Sequence, residues 1–364
     1  MPKRQFRTAL AIVLGSLLIL GLLVGWFIHR ALQYSGTAND GSGAEVEVDI
    51  VKGMSFPSVA QMLADKHVIA KPTWFRLYAM WEGDTTNVKI GHYVLKDNQT
   101  PEAVLRVLVA GVKEVTVKVT LPEGRNMLED FAALEQAHVA KASELEALAR
   151  DKEYLGTHGI TNDTVEGYLF PDTYEFRVPE KPRVVLDRLI AKHQAVWNEI
   201  LSRHAREAGK LKDKLQWGDR ELLILASIVE KEAVDPAERP RIAQVFINRL
   251  TSPDFKPKRL ETDPTIRYGC TVPVVKTAPC QAWDPRGRLF GAQLHDKDNA
   301  YNTYEHEGLP PGPISNPGKG AIEAALAPDG SDYFFFVAKD ARNHAFARTK
   351  EEHDRNVDKY IRHE

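Results

Sequence analysis

The sequence predicts an α+β protein carried on one N-terminal transmembrane helix. Three observations lead there. Thr8 to Ile28 is an uncharged run of 21 residues, TALAIVLGSLLILGLLVGWFI. Behind it, short segments with apolar residues at every second position alternate with segments of helical period. The helical segments open on Ser or Thr and Pro and close on Gly, the punctuation of real helix ends. The remaining composition is that of a globular chain: 364 residues, 43% hydrophobic and 27% charged, enough for two or three domains. A net charge of −2 excludes a strongly basic surface, so no nucleic-acid partner is expected.

At about 1.5 Å per residue the Thr8–Ile28 run spans roughly 30 Å, the depth of a bilayer core. Lys3, Arg4 and Arg7 precede it and only Arg30 closely follows. That asymmetry places residues 1–7 in the cytoplasm and the rest across the membrane. A cleaved signal peptide is the competing reading. It needs a shorter apolar core and a small-x-small cleavage site, which IHRALQYSG does not offer. An inner-membrane, single-pass anchor at 8–28 is therefore expected, followed by a flexible small-residue linker at 29–45.

Val46, Val48 and Ile50 alternate with acidic residues and predict a strand. Ser55 and Pro57 then open a helix, and Thr100, Pro101 and Gly111 bracket another. Residues 46–115 thus form a small α+β module and 116–364 a larger α+β domain. A second strand–Gly–helix pattern starts at VTVKVTLPEGRNMLEDFAAL, with Val119, Leu121 and Gly124 each 71 residues after Val48, Ile50 and Gly53. Residues 184–201 carry apolar positions at helical spacing, with His193 on the apolar side as a packed residue. Asp219 is expected to cap a helix over 220–234, and Asp235-Pro236 to end it. YFFFVAKDARNHAFARTKEEH starts as an aromatic strand, Tyr333–Val337, and ends as a helix.

The helix LLILASIVEKEA raises the chemical question, because its apolar pattern runs into Glu230 and Glu232. Helical neighbours lie at i±3, i±4 and i±7. Glu232 shares a face with Leu225, Ile228 and Val229, and Glu230 with Leu223, Ala226 and Ser227. Glu232 is thus the carboxyl aimed at burial. Burial disfavours the charged form and raises the pKa, which suits a general acid. The other reading is a solvated helix end, and the helix alone leaves both open. Glu230 is read as structural, paired with an arginine.

LETDPT supplies Glu261 and Asp263, with Asp263-Pro264 read as a tight turn. YNTY supplies Tyr301, Asn302, Thr303 and Tyr304, groups that hydrogen-bond sugar hydroxyls and acetamides and offer ring faces to sugars. There is no HExxH, no GxSxG elbow and no phosphate-binding loop, so neither a metal nor another cofactor is expected. The two cysteines, Cys270 and Cys280, lie in YGCTVPVVKTAPCQAW. In an exported domain they read as a disulfide, with two buried thiols as the alternative. Zinc would need further ligands at suitable spacing.

ASIVEKEA, VFINRL, RLETDPTIRYG, AYNTY, GLPPGPISNPG and YFFFVA, with EGYLFPDTYEF upstream, follow one another as in a known family. By these motifs the chain resembles the endolytic murein transglycosylases of the YceG-like (MltG) family over nearly its whole length. The resemblance implies a LysM-like subdomain at 46–115 and a catalytic domain at 116–364 in the periplasm. It implies lytic cleavage of the MurNAc–GlcNAc bond of nascent peptidoglycan strands to 1,6-anhydroMurNAc ends, terminating elongation, with Glu232 as the catalytic residue. Glycan strands are then the substrate, and peptidoglycan synthases plausible neighbours. The segment around Cys270–Cys280 departs from the family pattern.

Two other functions compete. A hydrolytic muramidase needs a second carboxylate about 5–9.5 Å away, for which Asp263 is the candidate. A membrane-tethered protein that binds peptidoglycan without cutting it would use the 46–115 module alone.

Overall fold

The computed structural model describes residues 3–112 and 115–362. Residues 1–2 of the expected cytoplasmic tail and 113–114 at the end of the expected module lie outside them. The chain divides into two compact units, 1–114 and 115–364.

The first unit opens with α1 (Lys3–Ser35). Within it, Leu14–Ser35 is long and apolar enough to cross a membrane. Then follow β1 (Glu45–Ile50), α2 (Phe56–Asp65), α3 (Pro72–Glu82), β2 (Gly91–Lys96) and α4 (Pro101–Ala110). β1 and β2 pair antiparallel from Glu45 opposite Lys96 to Ile50 opposite Gly91. Alternation buries Val48, Tyr93 and Leu95 against Leu63, Phe75 and Leu108 of the helices. Ser55 accepts from the Ser58 N–H to start α2, and Thr100 from the Ala103 N–H to start α4, each with Pro in the first turn.

The second unit repeats this strand–helices–strand construction and extends it. β3 (Thr116–Thr120) and β4 (Thr173–Arg177) pair antiparallel around α5 (Met127–Gln136), α6 (Ala142–Ala149) and α7 (Lys152–Thr157). Gly53 after β1 and Gly124 after β3 both take positive φ, +89° and +77°, where a side chain is strained. The common construction accounts for the 71-residue echo in the sequence.

Next come α8 (Pro182–Arg203), α9 (Ala205–Leu215), α10 (Asp219–Glu232), α11 (Arg239–Thr251), α12 (Asp263–Thr271), α13 (Ala278–Gln281), α14 (Gly291–Leu294) and α15 (Lys319–Leu326). A hairpin of β5 (Phe335–Ala338) and β6 (His344–Ala347) and then α16 (Lys350–Val357) follow. α10 is the central helix: Leu222 to Val229 are all buried, packed by α11, α12 and α15.

Three sequence expectations change here. α10 begins at Asp219 with Gly218 as its cap. The Glu221 carboxylate accepts the Gly218 N–H at 2.9 Å, so Asp219 lies inside the first turn. Asp263-Pro264 opens α12 and is no separate turn, because proline fits a first helical turn that has no use for its missing N–H. The two faces of α10 also do not differ in burial. A central helix is enclosed all round, so facing alone does not separate Glu230 from Glu232.

Candidate active site

The loop 308–318 runs alongside α10 and is pinned to it. The Ser227 hydroxyl accepts from Ile314 N–H at 3.0 Å and Ser315 Oγ donates to Ser227 O at 3.0 Å. Asn316, fully buried, accepts from Gly167 and Leu169 N–H at 2.9 and 3.2 Å and donates to Asp130 at 2.9 Å. Gly167 has φ +86°, and a Cβ there would lie 2.6 Å from the Pro313 side chain. EGYLF and SNPG thus meet because a glycine lets them approach.

At the C-terminal end of α10 the two glutamates part company. Glu230 Oε1 is 3.0 Å from Arg239 Nη2, and its Oε2 accepts from Gly318 N–H at 3.0 Å. Its side chain is only 6% exposed. Burial raises its pKa against the pull of Arg239. Glu232, the last residue of α10, has no ion-pair partner among the described residues. Its Oε1 accepts a hydrogen bond from the Thr262 hydroxyl. Burial holds its pKa above the ordinary carboxylate range. The hydrogen bond from Thr262 opposes the shift, the charge of Asp263 adds to it, and His344 and Arg249 pull the other way.

The remaining predicted residues have distinct placements. Glu261 takes φ +55°, a conformation strained for a side-chain-bearing residue, and donates its N–H to Thr303 O at 3.2 Å. Thr262 N–H donates to Thr303 Oγ1 at 3.1 Å, and Thr265 and Thr303 hydroxyls meet at 2.9 Å. Asp263 Oδ1 accepts from the Tyr304 hydroxyl at 2.9 Å. Asp263 and Tyr304 are therefore together beside Glu232.

Asn302 and Thr303 are not open to a ligand. Asn302 is 0% exposed; its Nδ2 donates to Gln293, Leu294 and Asp296 carbonyls at 3.2, 3.0 and 2.9 Å, and its Oδ1 accepts from Tyr304 N–H at 3.0 Å. Both residues hold the loop that carries Tyr304. Tyr301 lies against Tyr268, ring centroids 4.8 Å apart. Burial raises its pKa to about 12, with Glu166 the nearest cause after that. It belongs to the neighbourhood of Glu166, not to the Asp263–Tyr304 pair.

Three residues at the site were not picked out from the sequence. Thr262, 2% exposed, holds Glu232. Arg249 is sandwiched between Phe255 and Phe335, 5.5 and 5.4 Å from the ring centroids, and donates to Phe334 O at 2.6 Å and to Leu260 O. Burial lowers its pKa, and the carboxylates of Glu261 and Glu232 oppose that shift. His344 pairs with Glu238 at 2.7 Å. Arg249 carried a signal, as the lone charge in the helix motif VFINRL; His344 carried none.

Cys270 and Cys280 form a disulfide that closes a small core with Ile266 and Trp283. Among the described residues, no cluster of three or more His, Cys, Asp or Glu is arranged to hold a metal ion.

The chain that builds this geometry has relatives among known proteins. It matches the YceG-like family across residues 48–359. It is 31% identical to the endolytic murein transglycosylase of Bacillus subtilis, over 88% of this chain and 86% of that protein. It is 28% identical to that of Streptococcus pneumoniae, over 96% of this chain and 65% of that one. The crystal structure of a YceG-like protein from Listeria monocytogenes superposes with a TM-score of 0.54 at 28% identity, covering 85% of this chain and 98% of that one.

Proposed function

Since the chain belongs to the YceG-like family, we propose that it is an endolytic murein transglycosylase in which Glu232 serves first as general acid and then as base. The kinship makes it an enzyme of the lyase-type transglycosylases. The chemistry rests on one observation: of the two glutamates ending α10, Glu230 is neutralised by Arg239 while Glu232 is held by a hydroxyl in surroundings that favour its protonated form.

Protonated Glu232 donates to the glycosidic oxygen as the MurNAc C1–O bond breaks. The resulting carboxylate takes the proton of the muramoyl C6 hydroxyl, whose oxygen closes on C1 as a 1,6-anhydro ring. The nucleophile belongs to the substrate, so one carboxyl suffices, unlike the paired carboxyls of most glycosidases. The Asp263 carboxylate, held by Tyr304, supplies negative charge beside the developing oxocarbenium ion. Arg249 and Glu261 set the field around it.

The wider setting is part of the same proposal. The apolar stretch of α1 is an inner-membrane anchor with a cytoplasmic N-terminus, and the second unit works in the periplasm. The 46–115 module is LysM-like, and the glycan strands cut are nascent ones, beside synthases.

The test is mass spectrometry of glycan strands treated with the full chain in detergent micelles. Anhydro ends, lighter than reducing ends by one water, are expected. Reducing ends would make the enzyme a muramidase with Asp263 as second carboxylate, and no fragments at all would leave only a binding protein.

A further inference from the structure

A cavity of 250 Å³ opens in the second unit at the end of α10 remote from Glu232. Leu223 and Asp219 line it, nine and thirteen residues before Glu232, or about 14–20 Å along the helix axis.

Its wall is an aromatic ladder from two sequence blocks, Tyr168 of EGYLF and His193 and Trp197 of α8. Tyr168 meets His193 edge-on at 5.3 Å, and His193 stacks near Trp197 at 5.9 Å. His193 and Trp197 are 5% and 6% exposed. The His193 Nδ1 and Trp197 Nε1 are buried without a hydrogen-bond partner among the described residues. Buried polar atoms are seldom left so, and each one needs an account. Both are out of reach of water in this conformation, so their use requires the rings to turn.

The rim charges, by contrast, are satisfied within the chain. Asp219 pairs with Lys212 at 2.5 Å, and Arg220 with Glu221 at 3.0 Å and Asn162 at 2.6 Å. The exposed rim residues Gln194 and Asn198 bring neutral amides. Burial lowers the His193 pKa to about 4, so its ring is uncharged at neutral pH. An aromatic wall, neutral donors and acceptors and cancelled charges call for a neutral polar ligand with an apolar face.

We propose that this cavity is a second glycan site, holding one N-acetylated sugar ring of the strand away from the bond that is cut. The sugar face lies on the aromatic wall, and the acetamide is met by the rim amides and, once the Trp197 ring turns, by its N–H. The choice of a sugar among neutral polar ligands rests on the proposed function.

The probe is the β-1,4-linked N-acetylglucosamine tetramer, titrated into the full chain carrying Glu232→Gln, with binding followed by calorimetry and tryptophan fluorescence. Added Trp197→Phe should abolish the fluorescence response. Added Gln194→Ala with Asn198→Ala, both at exposed positions, should weaken binding about tenfold, as one or two lost hydrogen bonds imply, with an unchanged thermal midpoint. A parent that does not respond, variants that bind like the parent, or a response to sugar-free stem peptide instead overturns the proposal. Failure of the function itself shows separately, as wild type that leaves no anhydro ends whatever the titration gives.

Discussion

Arg239 Nη2 lies 3.0 Å from Glu230 Oε1, two residues before a second glutamate that has no such partner among the described residues. The pairing assigns opposite consequences to neighbouring substitutions. Glu230→Ala leaves the Arg239 guanidinium, 13% exposed, without its main counter-charge and Gly318 N–H without an acceptor. It should cost about 3 kcal/mol of stability, the scale for breaking a buried pair from one side. Glu232→Gln removes a carboxyl whose charged form is already disfavoured, so stability at neutral pH should hold or rise while cleavage is lost. Thermal unfolding beside an anhydro-end assay measures both, and a Glu232→Gln protein that still cuts would remove the residue from the mechanism.

The hydrogen bond from Thr262 predicts a pH effect. A hydroxyl donating to a carboxylate favours the charged form, so the hydrogen bond from Thr262 opposes the upward shift that burial causes in Glu232. Activity that needs protonated Glu232 should fall as pH rises through its raised pKa. Thr262→Val removes the donor, so that alkaline limb should move to higher pH. The kcat/KM profiles of the two proteins decide it, and a limb unmoved or displaced downward contradicts the assignment.

Much of the fold, and the helix that carries the site, was legible because its parts are local. Caps at Ser55 and Thr100, the strand alternation at Val48 and Ile50, and the helix ending in Glu232 depend on neighbours within a few residues. Glu230 could be read as an arginine's partner, but not which arginine. What escaped was set by long-range packing. Asn302 looked like a sugar ligand because an amide in a loop has the right chemistry. Only the fold shows its donors saturated by carbonyls of 293–296. His344 reaches the site from a strand more than a hundred residues after Glu232, with no pattern to announce it. The proline after Asp263 was ambiguous for a different reason: the same dipeptide begins turns and helices, and only the succeeding residues' packing decides.

Asn302 and Tyr304 should therefore behave differently when altered. Asn302→Ala strips an acceptor and the donors from a fully buried knot, leaving the Leu294 and Asp296 carbonyls and the Tyr304 N–H without that partner. A loss of about 2–4 kcal/mol is expected, with activity falling as the loop loosens. Tyr304→Phe removes one hydroxyl from Asp263 and should cost about 1 kcal/mol or less while still lowering kcat. Chemical denaturation paired with kinetics separates them. Equal stability losses would mean that Tyr304 is only structural.

Glu166 and Asp130 carry the last prediction, on stability against pH. Both are 1% exposed. Glu166 accepts from Met127 N–H at 3.1 Å, and Asp130 from Asn316 Nδ2 at 2.9 Å. Burial pushes Glu166 up to about 8 and Asp130 to about 7, from ordinary values of 4.5 and 3.8. The folded state thus favours the protonated forms. Their contribution is complete below the unfolded values and is lost as pH climbs through 7 and 8, the opposite of a salt-bridged carboxylate. The unfolding midpoint should decline between about pH 4 and 8, from the unfolded to the folded values, and level off above. Glu166→Gln, which cannot ionise, should flatten that decline over its upper part. A decline just as steep in the variant would show that Glu166 is not the group being titrated.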